Sequence, residues 1–207
     1  MQKEVSPTMV TLVSGLQICS SCLALFNTKF YTRKVAGVEV VSLYEYDEFF
    51  RGLLYQYKGK GDIELAPVFI ANFSNYLRLK YYKYLIVYAP SSKSSDLERG
   101  FNHVFLAFRP LKLKQGARLE KTSDFKQSEL NFEERQKVGN HLRLLEGDRL
   151  IGRKVLIVDD LYTTGATVRA IISLVKTYHP TKIRVLTLSY TKTRDDGDWN
   201  VHNHIDK

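Results

Sequence analysis

Two adjacent carboxylates followed by a threonine-rich turn are the residues of this chain best suited to chemistry: Asp159-Asp160-Leu161-Tyr162-Thr163-Thr164-Gly165-Ala166-Thr167. Four apolar residues, Val155–Val158, precede them, and Val168, Ile171, Ile172, Val175 and Tyr178 follow at helical spacing. This predicts a buried strand, then a helix over 167–178 that Pro180 stops. A helix starting there aims unpaired N–H groups and the positive end of its dipole into the turn. Thr163, Thr164 and Thr167 add hydroxyls. Gly165 lets the backbone close round an oxyanion with no side chain in the way. With Ala166 these residues make a nest for a terminal phosphate. Asp159 and Asp160 would repel that phosphate unless they address something else. The vicinal hydroxyls of a ribose suit them, as does Mg2+ held through oxygen. Nest and paired acids together fit a 5-phosphorylated ribose with a metal-bound leaving group, as in phosphoribosyl pyrophosphate (PRPP).

Other readings of the acid pair fit less well. Response-regulator receiver domains also contain an apolar strand ending in two acids, but near the start of a domain longer than the chain that remains here. A Walker B strand needs a Gly-x-x-x-x-Gly-Lys-Ser/Thr loop. The nearest approach, Gly147–Lys154, has Arg153 at the lysine position and no following Ser or Thr. A turn with two capping acids would not require the Thr-Thr-Gly-Ala-Thr run.

The elements that must position this loop are legible in part. Residues 1–36 read as irregular. Val38–Tyr46 reads as a strand, and Asp47 caps a short helix through Tyr57. Lys58–Asp62 reads as a basic turn, followed by a helix to about Leu79 with Pro67 in its first turn. Tyr84–Ala89 is a second buried strand. It runs into Pro90-Ser91-Ser92-Lys93, whose N–H groups, hydroxyls and cation could hold a pyrophosphate together with Ala89 and Arg99. Leu97–Phe108 reads as a helix. Residues 109–126 read as a mobile loop, and Arg109, Lys112, Lys114, Arg118 and Lys121 could close over the pyrophosphate or contact DNA. Asn131 and Glu134 form a capping box for a helix through Lys137. Ile183–Tyr190 completes a strand–helix–strand unit and hence a parallel sheet. The tail from Thr191 reads as polar and loose.

The 207 residues carry a net charge of +9 with 44% hydrophobic content, enough for one domain with a small appendage and suited to an anionic partner. Tyr76, Tyr81, Tyr82 and Tyr84 interleave with Arg78, Lys80 and Lys83, which suits single-stranded nucleic acid or a helix end packing on the core. The two cysteines, Cys19 and Cys22, have metal-ligand or redox spacing. Zinc wants four ligands, and the five histidines (103, 141, 179, 202 and 204) are all distant in sequence. The pair is therefore a candidate zinc site only if completed from afar or by a second chain, and otherwise a degenerate finger. No window reaches roughly 18 apolar residues and no signal peptide is evident, so no membrane span and a cytoplasmic location are expected.

From about Tyr55 to Tyr190 the chain resembles type I phosphoribosyltransferases, and more narrowly the ComF/ComFC group of competence-associated proteins. The resemblance lies in Tyr57–Asp62, Tyr88-Ala89-Pro90, Arg99-Gly100-Phe101-Asn102, Gln127, Arg135 and the loop Asp159–Thr167. It implies an α/β fold: a Rossmann-like parallel sheet flanked by helices, with a small N-terminal hood or degenerate zinc-finger segment. The implied division is 1–46 for that segment, 47–190 for the phosphoribosyltransferase-like domain and 191–207 for the tail. The resemblance also implies PRPP and Mg2+ as ligands, Asp159 and Asp160 as catalytic residues, a role in DNA uptake during competence, and a helicase-type partner. Departures are specific. Purine-salvage relatives place an acid where this chain has Thr163, and the group's finger carries more than one Cys-x-x-Cys pair. A non-catalytic nucleic-acid-binding or interaction protein of the DNA-import machinery is the alternative.

Overall fold

The computed structural model describes residues 20–26, 30–91, 96–97, 99–121, 142–192 and 199–202. A short helix, α1 (Ser20–Ala24), precedes a hairpin of β1 (Phe30–Val35) and β2 (Val38–Glu45). Asp47 then caps α2 (Glu48–Gly59): its Oδ1 accepts from Phe50 N at 2.8 Å, satisfying an otherwise unpaired N–H. Ile63–Phe73 winds in 3-10 turns and leads into α3 (Ser74–Tyr81) and β3 (Tyr84–Tyr88). There follow α4 (His103–Phe108), β4 (Arg118–Lys121), β5 (Leu142–Leu145), β6 (Lys154–Tyr162), α5 (Ala166–Lys176), β7 (Lys182–Tyr190) and β8 (Asn200–His202).

Six strands form one sheet in the order β3-β6-β7-β2-β1-β8. The first four are parallel, and β1 and β8 add an antiparallel edge. β4 and β5 pair separately. Parallel strands need cover on both faces, which is why β6 opens with an unbroken apolar run. Leu156, Val158, Ile86, Leu186 and Leu188 pack under α2, the 3-10 segment, α3 and α4. Val155, Ile157, Val87 and Val185 pack on the opposite face under Val168, Ile171, Ile172 and Val175 of α5. This is the expected α/β arrangement, a mainly parallel sheet flanked by helices.

Several local expectations are corrected. Residues 30–36, read as irregular, form β1 and part of a two-residue turn in which Ala36 and Gly37 both have positive φ (50° and 78°). That geometry matches the right-handed twist of a hairpin, but the turn lacks the usual Asn-Gly signal. β1 and β2, assigned above to the N-terminal segment, are therefore strands of the main sheet. Pro67 lies in the fifth position of its segment rather than the first turn; it has no N–H and crowds the carbonyl four residues back, and the segment is 3-10. The helix expected from Leu97 to Phe108 is interrupted by Gly100 (φ 78°), and α4 begins after Asn102, whose Oδ1 accepts from Phe105 N at 2.8 Å.

Residues 109–121 are not a mobile loop. Ile86 N donates to Lys114 O (2.9 Å) and Gly116 N to Ile86 O (3.0 Å), so this stretch covers the outer edge of β3 before entering β4. The helix expected over 131–137 lies outside the described residues. The tail is not loose where it is described, since β8 pairs with β1. No described helix is long and apolar enough to cross a membrane.

Trp199 anchors this returning segment, its ring 5.2 Å from Tyr162 and 4.6 Å from Tyr190, with the Arg33 guanidinium 5.2 Å from its centroid. Trp199→Ala is expected to destabilise the fold by about 2 kcal/mol, less than the loss for a fully buried tryptophan. Urea denaturation checks this; an unchanged midpoint and slope would mean that the tail does not dock.

Candidate functional site

The carboxyl end of β6 lies where open α/β sheets bind their ligands. The strand extends beyond the four apolar residues to include Asp159 and Asp160, both buried. Strand alternation puts Asp160 on the face of Leu156 and Val158, toward α2 and α4. There it meets two cationic or donor side chains. Lys58 Nζ, in the last turn of α2, donates to Asp160 Oδ2 in a close ion pair. His103 Nε2, at the start of α4, lies 3.1 Å from the same oxygen. Asp159 Oδ1 accepts from Asp160 N at 2.9 Å.

These neighbours divide the acids electrostatically. The Asp159 carboxyl is pushed well above the usual carboxylate range, first by burial and then by the negative charge of Asp160. Burial alone would raise Asp160 as well. The hydrogen bond from His103 and the charge of Lys58 outweigh it and hold Asp160 below its ordinary value.

The turn after β6 has the geometry expected of a nest. Gly165 adopts φ 72°, and a Cβ there would stand 2.2 Å from the Tyr162 hydroxyl oxygen, so no other residue fits without movement. No side chain caps the first turn of α5. Arg169 Nη2 pins the turn by donating to Thr164 O at 2.6 Å. Thr163, Thr164, Ala166 and Thr167 are exposed, with their hydroxyls and N–H groups open to a ligand.

A cleft of about 1470 Å³ joins these parts, lined by Asp159, Asp160 and Thr167 on one side and by Arg51, Lys58 and Lys60 on another. Pro90 and Ser91 of the expected pyrophosphate loop also line it, beside Arg99 and Lys121. Ala89 is buried and its N–H donates to Val158 O at 2.8 Å, which fixes the loop against β6. Ser92 and Lys93 lie outside the described residues. Arg99, expected to supply charge to a pyrophosphate, lines the cleft but directs Nη1 to His103 Nδ1 (3.1 Å) and Nη2 to Asp96 Oδ1 (3.3 Å).

Lys58 and His103 are site residues that the motifs did not single out. Lys58 lay inside the Tyr57–Asp62 stretch, and His103 directly follows Arg99–Asn102. The arginine–histidine spacing of four, one helical turn, was the available signal for His103.

Two carboxylates supply hard oxygen donors that suit Mg2+, which binds through one or two carboxylates plus substrate phosphates. Among the described residues no group of three or more His, Cys, Asp and Glu could hold a metal ion by itself. Cys22 is exposed and Cys19 lies outside the described residues. The described residues thus offer no donor set for zinc at that pair.

Residues 119–204 match the family model of the phosphoribosyl transferase domain, a span that contains β6, the acid pair, the nest, α5 and β7. The chain is 29% identical over 169 residues to competence protein ComFC of Streptococcus pneumoniae, covering 78% of this chain and 76% of that one. It is 30% identical over 135 residues to ComFC of Bacillus subtilis, covering 61% of this chain and 53%, about half, of that relative. The chain is thus similar, over much of its length, to phosphoribosyltransferase-like proteins of the ComFC kind. Among solved structures it is similar to a hypoxanthine phosphoribosyltransferase from Staphylococcus aureus, at 15% identity and a TM-score of 0.41 over 66% of this chain and 68% of that one. A Trypanosoma cruzi hypoxanthine phosphoribosyltransferase bound to IMP gives 14% identity and a TM-score of 0.37, over 60% of this chain and 65% of that one.

The raised Asp159 carboxyl has a consequence for stability. Asp159 binds its proton more tightly in the folded chain than in the unfolded one. Its contribution is therefore full below the unfolded carboxylate value, near pH ~3.9, and is lost as pH rises through the higher folded value. Asp159→Asn removes that loss, so the Tm of the variant minus that of the wild type should grow between pH 4 and pH 8. A difference that stays flat or shrinks across this range contradicts the assignment.

Proposed function

We propose that this protein binds PRPP with Mg2+ in the cleft at the carboxyl end of β6 and acts as a phosphoribosyltransferase-type component of DNA uptake in natural competence, in the cytoplasm beside a helicase-type partner. The observation that carries the ligand assignment is the buried Asp159–Asp160 pair, five residues ahead of an uncapped helix N-terminus whose Thr167 lines the same cleft. The names of the similar competence proteins support the biological setting.

In this reading Thr163, Thr164, Gly165, Ala166 and Thr167 hold the 5-phosphate through backbone N–H groups and hydroxyls. Asp159 and Asp160 accept from the ribose hydroxyls and are the residues that would hold Mg2+. Ala89, Pro90, Ser91 and Arg99 would meet the pyrophosphate; Ser92 and Lys93, expected from the sequence to join them, lie outside the described residues. The metal would supply charge neutralisation for that leaving group. Breaking the C1–O bond leaves the electron pair on pyrophosphate and develops positive charge on the ribose; the acid pair, with Asp160 ionised, stabilises that charge. The acceptor nucleophile then bonds to C1. A hydroxyl at Thr163 in place of a carboxylate removes the usual base toward a purine and sets the acceptor apart from purine salvage.

A separate groove favours a second, nucleic-acid-binding reading, the alternative of a non-catalytic protein of DNA import. It encloses about 710 Å³ and is lined by Arg78, Lys83, Lys112, Lys114 and Arg153 with Tyr82 and Tyr84, and by no acidic residue among those described. The tyrosine stripe divides here: Tyr81 is buried in the core, whereas Tyr82 is 63% exposed with Lys83 Nζ 5.1 Å from its ring centroid. Cations and exposed rings together suit single-stranded DNA.

Calorimetric titration of PRPP with Mg2+ tests the first reading. The wild type should bind, and Asp160→Asn should bind at least about tenfold more weakly, having lost a charged acceptor. A wild type that takes up no PRPP contradicts the reading. For the groove, single-stranded DNA affinity should fall steeply between low and moderate salt, and Lys83→Gln with Lys112→Gln should flatten that slope. An affinity independent of salt contradicts the electrostatic groove.

A further inference from the structure

We propose that His103 is a positioning residue for Asp160: it fixes the carboxylate from inside the protein, while Lys58 is the partner that an incoming ligand displaces. The inference rests on the ribose-binding reading above and adds a residue that reading does not require.

Asp160 Oδ2 takes two donors of unequal permanence. His103 offers Nε2 at 3.1 Å from a side chain only 6% exposed. The Lys58 side chain is 33% exposed at the cleft wall and carries its charge on a flexible four-carbon stem. His103 is held at both ends. Tyr57 OH donates to its backbone carbonyl at 2.6 Å, and Arg99 Nη1 stands 3.1 Å from its Nδ1. A guanidinium has donors only and keeps its protons, so Nδ1 must present its lone pair to Arg99. Nε2 is then the ring nitrogen that donates, and it faces Asp160.

The support extends outward from there. Arg99 Nη2 donates to Asp96 Oδ1 at 3.3 Å, and Asp96 Oδ2 accepts from Asn102 Nδ2 at 2.9 Å. The same Asn102 Nδ2 donates to Ser91 Oγ at 3.1 Å. Gly100, at φ 78°, turns the chain so that Arg99 and His103 meet on one side. One run of hydrogen bonds thus links the Pro90–Ser91 loop to the acid that addresses the ribose. When a ribose hydroxyl or a metal ion reaches Asp160, Lys58 can leave and His103 keeps the carboxylate aimed. The loop and the acid are then aligned by the same four side chains.

Two variants and one spectroscopic readout test this. Glutamine at 103 can donate an amide N–H to Asp160 and accept from Arg99, whereas leucine fills the volume with neither group. His103→Leu should weaken PRPP–Mg2+ binding by about tenfold or more, and His103→Gln should stay within about threefold of the wild type, as expected when an outer partner orients a ligand-binding acid. In the unliganded protein, side-chain 15N NMR should show His103 carrying a proton on Nε2, with Asp160→Asn shifting that nitrogen. A folded His103→Leu protein that binds PRPP like the wild type overturns the proposal, as does a ring protonated on Nδ1. If His103→Leu fails to fold, weak binding by a folded His103→Gln overturns it as well. A wild type that binds no PRPP while the NMR signature is present overturns the ribose-binding reading, and the displacement of Lys58 with it. PRPP binding without the signature overturns the positioning role alone.

Discussion

Two carboxyl groups on consecutive residues, both buried at the end of one central strand, are the constraint around which this molecule is arranged. A buried ionised carboxylate without partners costs several kcal/mol, and two side by side repel as well. The chain resolves this asymmetrically. Lys58 and His103 hold the Asp160 carboxyl below its ordinary value, while burial, and then the charge of Asp160, push the Asp159 carboxyl well above it. Each partner comes from a different helix on the same face of the sheet. The acid pair therefore also fixes where the end of α2 and the start of α4 must lie.

The rest of the fold can be read outward from that point. Asp47 starts α2 at the exit of β2, and its buried stripe of Phe50, Leu54 and Tyr57 sets the helix so that Lys58 reaches the strand end. Tyr57 then ties the helix to His103 through a backbone carbonyl. On the far side, α5 seals Val155 and Ile157 and brings its uncapped N-terminus next to Asp159. Tyr162, beneath Gly165, is held in turn by Trp199 on the returning tail. Acid pair and nest are thus supported from both faces by side chains far apart in sequence.

The parts legible in the sequence were those with short-range signals. Val155–Val158 announced a buried strand, α5 showed its apolar stripe, and Gly165 with its threonines marked the nest. Asp47 announced the start of α2. What stayed hidden depends on long-range pairing or on unusual residues in familiar geometry. The β1–β2 turn uses Ala36 at positive φ, where Asn or Gly would have signalled a hairpin. β8 exists only because β1 offers it an edge. His103 looked like an isolated histidine, and its role becomes visible only when Arg99 and Asp160 stand on either side of it. Lys58 looked like part of a basic turn because its partner is 102 residues away.

The division of charge between the two acids is the central claim, and side-chain carboxyl 13C NMR of Asp159 and Asp160 measures it directly, before and after PRPP is added with Mg2+. In the unliganded protein the Asp160 carbon should report a carboxylate across the accessible pH range, and the Asp159 carbon a protonated acid well above pH ~4, the range where an ordinary aspartate has already ionised. Addition of the ligand should shift both. Two carbons that titrate together as ordinary surface carboxylates, and that do not respond to PRPP, would contradict the account.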